Sequence, residues 1–121
     1  MKLQADAHTT QTITSYGPGW ISVNGQLLKY NVVIDSHSSY SAWQTSGFDE
    51  LQPEHFSVLG DLKPELVLLG TGAKQRFPHP RLYSQLMAQG IGLETMTTPA
   101  ACRTFNILSG EGRHVVVALL L

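Results

Sequence analysis

Two short segments in the C-terminal half combine residue types that suit the binding of an anion. The first, at residues 70–74, contains two glycines and directly follows an apolar run, and the second, at residues 96–99, precedes a stretch typical of a helix. Glycines let backbone N–H groups approach a ligand, and a helix N-terminus adds unpaired N–H groups and a positive dipole. The sequence therefore predicts an anion-accepting crevice between these segments, with charge available from Lys74, Arg76 and Arg103.

The glycine segment departs from the known nucleotide-binding motifs. Gln75 stands where a dinucleotide fingerprint needs its third glycine, and the Gly-Lys-Ser/Thr ending of a P-loop is missing. A structural interpretation stays open, in which Gly70 and Gly72 serve only a tight turn after a strand. The charge balance of −4 over residues 1–65 and +3 over residues 66–121 fits an anion site, but ordinary surface charge would produce the same asymmetry.

No set of nucleophile, base or metal ligands stands out in the sequence. Cys102 lies one turn into a predicted helix, where the dipole favours a thiolate, but it shares an apolar stripe with Phe105 and Leu108. We therefore expect Cys102 to be a buried, unreactive core residue. The five histidines lack a metal-binding spacing, so we expect no zinc site and no cofactor. A pairing of Cys102 with His79 or His114 stays open.

The periodicity of the chain predicts how these segments are positioned. Residues 66–119 alternate between strand and helix patterns, which indicates a parallel βαβαβ unit. Ligands of such sheets bind beyond the carboxyl ends of the strands, so we expect the glycine loop and the start of the Cys102 helix to lie side by side. Thr98 is the predicted N-cap of that helix, and Pro99 occupies its first position.

The N-terminal part is predicted to be rich in strands. Asn24 and Gly25 indicate a type I′ hairpin turn between strands at residues 20–23 and 28–34. Further strands are predicted at residues 12–16, 41–43, 66–69, 91–96 and 115–119, and helices begin near residues 53, 80 and 98. The apolar stripe expected on the helix from residue 80 consists of Leu82, Tyr83, Leu86 and Met87.

Length and composition fit a compact α/β domain. Apolar residues make up 42% and charged residues 14% of 121, so we expect one domain over residues 1–121 with a frayed start at residues 1–11. The net charge of −1 predicts no nucleic-acid partner. We expect a cytoplasmic protein without a transmembrane segment, because no signal sequence or presequence is recognisable and the apolar run at residues 115–121 is too short.

Several separated motifs resemble one family of proteins. Leu-Leu-Gly-Thr-Gly at residues 68–72, Thr-Thr-Pro-Ala-Ala-Cys-Arg at residues 97–103 and Glu-Gly-Arg at residues 111–113 look like the Mth-type domain of uncharacterised proteins. The resemblance covers nearly the whole chain and implies a three-layer α/β fold with a mixed central sheet. It implies a pocket near residues 70–72 and 98–106 and supplies no catalytic residue. The candidate ligand-binding residues are therefore Gly70, Thr71, Gly72, Lys74, Thr98, Ala101, Cys102, Arg103 and Asn106.

Two functional hypotheses follow. Relatives in the family include the adipogenesis-associated Mth-domain protein and a mitochondrial assembly factor for respiratory complex I. The leading hypothesis is a non-enzymatic binding or assembly module that contacts an unidentified protein partner, with a small anion in the crevice. The rival is an enzyme for a small anionic or redox-active substrate, which would need an exposed Cys102 with a titratable partner within hydrogen-bond reach. Whether the chain forms a homodimer stays open.

Overall fold

The computed structural model describes residues 11–121 of the chain. The predicted fraying falls mostly on residues 1–10, which lie outside the described range. Gln11 is buried, its side chain donates to the Ser38 carbonyl at 2.7 Å, and its own carbonyl accepts from Ser109 Oγ at 3.1 Å. The expectation of fraying is therefore wrong at Gln11, because both its side chain and its backbone are bonded.

A five-stranded mixed sheet forms the centre of the fold. Its strands are β4 (Val32–Asp35), β5 (Tyr40–Ala42), β6 (Leu66–Gly70), β7 (Gly92–Met96) and β8 (Val115–Leu119), and their order in the sheet is β5-β4-β8-β6-β7. β6 pairs in parallel with both β7 and β8, whereas β4 pairs antiparallel with β5 and β8. All five residues of β8 are buried, as expected for a continuous apolar strand covered on both faces. The predicted parallel βαβαβ unit is confirmed.

A smaller antiparallel sheet is built from β1 (Ile13–Gly17), β2 (Trp20–Val23) and β3 (Gln26–Leu28). Asn24 has φ 51° and Gly25 has φ 86°, which confirms the hairpin turn that requires two positive φ angles. The predicted strand at residues 28–34 is wrong. The chain leaves the small sheet after β3 and enters the central sheet only at β4, so one apolar stretch supplies two sheets.

Three α-helices cover the central sheet: α1 (Pro53–Gly60), α2 (Ser84–Ala88) and α3 (Thr98–Gly110). α3 and the small sheet share one core with the face of the central sheet that carries Ile34, Leu68 and Val117. α1 and α2 bury the opposite face, where Phe56 and Leu86 are fully buried. The fold is therefore the expected three-layer α/β arrangement with a mixed central sheet.

The segment from Pro80 differs from its prediction. It forms a 3₁₀ turn at Pro80–Tyr83 and only then the short α2. Leu86 is buried as expected, but the side chain of Met87 is 57% exposed. A 3₁₀ turn has three residues per turn instead of 3.6, so it shifts the phase of the stripe and turns Met87 outward.

Candidate functional site

The glycine loop after β6 and the start of α3 are joined by two hydrogen bonds. The Gly72 N–H donates to Thr98 Oγ1 at 2.8 Å, and the Thr98 N–H donates to the Gly72 carbonyl at 2.9 Å. Thr98 Oγ1 in turn donates to the carbonyl of Leu120, just past β8, at 2.7 Å. The prediction that the two loops lie side by side is confirmed. The buried Thr98 hydroxyl joins the three chain segments that follow β6, β7 and β8.

The two positions of the loop require glycine for different structural reasons. A Cβ at Gly70 would lie 2.8 Å from Leu119 Cδ2 and 3.0 Å from Thr98 Cα, so this position allows the helix start to approach the strand. Gly72 has φ +96°, which side-chain-bearing residues rarely adopt. Both glycines therefore serve the junction itself, as the structural interpretation of the motif expects.

The helix N-cap is Thr97, so the prediction of Thr98 as N-cap is wrong. Thr97 has extended backbone angles and its hydroxyl accepts from the Ala100 N–H, while its carbonyl accepts from the Ala101 N–H. The Thr98 N–H is bonded to Gly72 and Pro99 has no N–H, so the first-turn donors are used within the protein. The free N–H groups that motivated the anion site are therefore absent from this turn, and anion binding stays a prediction.

Thr71 shapes the remainder of the glycine loop. Its hydroxyl donates to the Lys74 carbonyl at 2.6 Å and accepts from the Arg76 N–H at 3.1 Å. The Lys74 side chain is exposed. The Arg76 guanidinium donates to Asp49 at 2.7 Å and lies 4.1 Å from the centre of the Phe48 ring. Of the two cations on this loop, only Lys74 therefore remains without a carboxylate partner in the described residues.

A crevice of about 390 Å³ lies between the junction and the turn that connects β1 to β2. Its lining includes Tyr16, Pro18, Gly72, Ala73, Pro99 and Leu120. The lining is mostly apolar. At one side of it, the Tyr16 hydroxyl accepts a hydrogen bond from Arg103 Nη1 at 3.0 Å. Sequence reasoning missed Tyr16 and Pro18, because the Gly-Pro-Gly turn marks a break in the chain without showing where that break packs.

Only Gly72 and Thr98 of the nine predicted site residues line this crevice, and three of the others have structural roles elsewhere. Ala101 and Cys102 are fully buried in the core under α3, as predicted for Cys102, and burial raises the pKa of the Cys102 thiol to about 11. The Asn106 side chain accepts from the Ile13 N–H and donates to the Ile13 carbonyl, both at 2.8 Å. Asn106 therefore acts like a neighbouring strand along the edge of β1, and the enzyme hypothesis finds no support at Cys102.

The opposite ends of β6 and β8 carry a polar cluster that sequence reasoning missed. His114 Nε2 lies 2.9 Å from Asp35 Oδ1, which also accepts from the His37 N–H at 2.9 Å. The His37 and His114 rings stack with centroids 4.7 Å apart. Residue 114 is far from residues 35 and 37 in sequence, so only the antiparallel pairing of β4 with β8 brings it to them.

Glu65 lies beside this cluster and accepts from the His114 N–H and from Arg113 Nε. These bonds lower the pKa of Glu65 from its usual value, with the His114 bond contributing most. The possible Cys102 pairings find no support, because His114 bonds to Asp35 and His79 caps the 3₁₀ turn through the Arg81 N–H. Within residues 11–121, no three His, Cys, Asp or Glu side chains are placed to hold a metal, and no helix has the length and apolar character needed to cross a membrane.

Comparison with known proteins shows that these features lie in a segment of the chain that is similar to other proteins. The model of a family described as "Protein of unknown function (DUF498/DUF598)" matches residues 13–120. NADH dehydrogenase [ubiquinone] 1 alpha subcomplex assembly factor 3 of Danio rerio is 33% identical over 98% of this chain and 68% of its own length. The human and cattle counterparts are matched over 65% of their length.

Solved structures agree with the fold. A crystal structure of a Bordetella parapertussis protein superposes with a TM-score of 0.88 at 36% identity, covering 94% of this chain and 98% of that one. A Bordetella pertussis protein described as a Mth938-like domain has a TM-score of 0.81 at 30% identity, over 91% of this chain and 85% of that one. The Mth-type resemblance expected from the sequence is confirmed.

Proposed function

We propose, from the premise that this chain belongs to the DUF498/DUF598 family of Mth-type domains, that it is a non-enzymatic module for the assembly of NADH dehydrogenase. In this proposal it binds a partner protein through the crevice between the glycine loop and the β1–β2 turn. The observation that carries the proposal is the similarity to assembly factor 3 over 98% of the chain, which includes both walls of the crevice.

The chemistry of the crevice suits a segment of polypeptide. Its lining offers Pro18, Pro99 and Leu120 for apolar contact and Tyr16 for polar contact at one side, where the Tyr16 hydroxyl is bonded to the Arg103 guanidinium outside the lining. Pockets that combine a mostly apolar lining with a few polar groups are typical binding sites. In the finer form of the proposal, Arg103 and Lys74 meet a carboxylate of the partner, which keeps the predicted anion as part of a protein contact.

Deletion of the gene in its host tests the assembly role. The expected result is less assembled NADH dehydrogenase on native gels and slower NADH oxidation by membranes, both restored by the wild-type gene. An unchanged amount of assembled enzyme in the deletion strain would contradict the proposal.

The anion contact has its own test. A titration with acetate and with inorganic phosphate, followed by backbone amide NMR, should give saturable shifts at Gly72, Ala73 and Arg103, and these should weaken in Arg103→Ala. Shifts that are absent at these positions for both ions would leave only the structural interpretation of the loop. The single domain over residues 1–121, the cytoplasmic location and the question of a homodimer stay predictions.

A further inference from the structure

Phe77 is a large apolar side chain that the fold leaves in solvent. It follows the glycine loop after β6, and it is 74% exposed, more than any other large apolar side chain of the described residues. Burial of a phenylalanine stabilises a folded protein, so a side chain held in water forgoes that stabilisation. One exposed apolar residue alone needs no explanation, and the case for a function therefore rests on how this one is held and what surrounds it.

The loop at residues 73–79, here the Phe77 loop, is anchored on both sides of the phenylalanine. Before it, Gln75 Nε2 donates to the Thr95 carbonyl at 2.9 Å, and Arg76 is held by Asp49 and by the Thr71 hydroxyl. After it, the side chain of Pro78 is buried. The backbone is thus fixed where Phe77 projects, so an interface would not need to order it, and preorganisation of this kind favours protein contacts.

The surroundings of Phe77 are cationic. The chain has no acidic residue between Glu65 and Glu94, whereas Lys74 and Arg81 are exposed within four residues of Phe77. The one carboxylate bonded to the loop, Asp49, is paired with Arg76. A complementary surface would therefore offer an apolar pocket with carboxylates around it, because matched charges set the orientation and the rate of docking.

We propose that Phe77 is the anchor of a second contact with the partner, inserted into an apolar pocket rimmed by carboxylates on a protein subunit of NADH dehydrogenase. This inference rests on the proposed function and names the surface and the chemistry of its partner. A protein fits better than an anionic bilayer, because a protein pocket can place its carboxylates beside Lys74 and Arg81 and away from Asp49, whereas a uniformly anionic bilayer would also meet the exposed Asp49 carboxylate.

Site-specific photo-crosslinking in the host tests this contact. A photoreactive phenylalanine analogue replaces Phe77 in one strain and Ile107 in a matched strain, since Ile107 is 62% exposed on the outer side of α3. The expected result is an adduct with a NADH dehydrogenase subunit from position 77, at a yield about tenfold above that from position 107. Lys74→Glu should lower that yield several-fold, whereas the equivalent change Lys29→Glu should leave it unchanged.

Three results would overturn the inference: no subunit adduct from position 77, equal adducts from both positions, or adducts with lipid alone. Phe77→Ala offers a separate readout, because it should restore NADH dehydrogenase to the deletion strain at a level well below that of Ile107→Ala. Full restoration by Phe77→Ala, in a strain whose enzyme is lost on deletion, would remove the Phe77 contact and leave the assembly role intact. A deletion strain with normal enzyme would instead remove the assembly role itself.

Discussion

Hydrogen bonds hold neighbouring chain segments together at both ends of the parallel strands β6 and β8, but different chemical groups form them at the two ends. At the amino end, carboxylates and imidazoles close the structure, with Asp35 bonded to the backbone of His37 and to the ring of His114. At the carboxyl end, hydroxyl groups do so, and Thr98 bonds to both neighbouring chain segments. The side chains of the amino end bond to one another and to the backbone, whereas the carboxyl end has a mostly apolar crevice and an exposed phenylalanine.

Under the proposed function, a dense cluster of titratable groups does not mark the functional end of this fold. The groups of the amino end bond to one another and to backbone atoms, and such structural networks can resemble a functional cluster. The carboxyl end looks simpler chemically, yet it has the surfaces that a partner can cover. The variants below test each half of that contrast, beginning with the largest expected effect.

Thr98→Val should cause the largest loss of stability. Valine has nearly the same shape but leaves the Gly72 N–H and the Leu120 carbonyl without their hydrogen bonds at a buried site. Each unsatisfied buried group costs about 1–3 kcal/mol, so the free energy of unfolding should fall by about 2–4 kcal/mol. Urea denaturation measures it, with Thr104→Val in the same helix as the control. Equal denaturation midpoints for the two variants would show that the junction does not need the hydroxyl.

Cys102 should resist thiol reagents in the folded chain. The side chain is fully buried, and burial raises the pKa of its thiol to about 11. The raised pKa lowers the fraction of reactive thiolate, and lack of access slows the reaction further. The rate of modification in native buffer, compared with that in denaturant, checks this. Similar rates in the two conditions would show that Cys102 is accessible and reactive in the folded chain, and would support the enzyme hypothesis.

Asp35→Asn should destabilise the amino end by a smaller amount. The substitution keeps the size of the side chain but weakens the acceptor for the His37 N–H and for the His114 ring, and a bond of this kind contributes about 1–3 kcal/mol. Asp61→Asn, at an exposed position, is the control in thermal denaturation. Because the amino end is proposed to be structural, Asp35→Asn should still support assembly of NADH dehydrogenase at a temperature where the variant is folded. Loss of assembly by the folded variant would contradict the proposed difference between the two ends.

Glu65→Gln should have the smallest effect, visible only in acid. The bonds from the His114 N–H and from Arg113 keep the pKa of Glu65 below its usual value of 4.5. The ionised carboxylate therefore contributes stability above that pH, and the contribution is lost as the pH falls through the lowered pKa. The variant should thus lose less stability than the wild type when the pH is taken below 4.5 in urea denaturation. An unchanged acid dependence would mean that these exposed bonds are fully screened by solvent.

The sequence predicts the elements of the C-terminal half well because their signals are local. Long apolar runs ended by glycine, and a threonine-proline pair before a stripe, need no tertiary information. The N-cap was misplaced by one residue because both Thr97 and Thr98 suit a cap, and only the contact of Thr98 with Leu120 decides between them. The crevice wall at Tyr16 and the Asp35–His114 pair depend on contacts between distant residues, which no local pattern contains.

We propose that the carboxyl end of the strands is the face that binds the partner during assembly. The test is to restore the deletion strain with each of two variants and to measure assembled NADH dehydrogenase on native gels. Ala73→Arg places a long side chain in the crevice from an exposed position, and His37→Ala alters the opposite end. We expect Ala73→Arg to be folded but to fail to restore the enzyme, whereas His37→Ala should restore it. Full restoration by Ala73→Arg together with failure of a folded His37→Ala would contradict it.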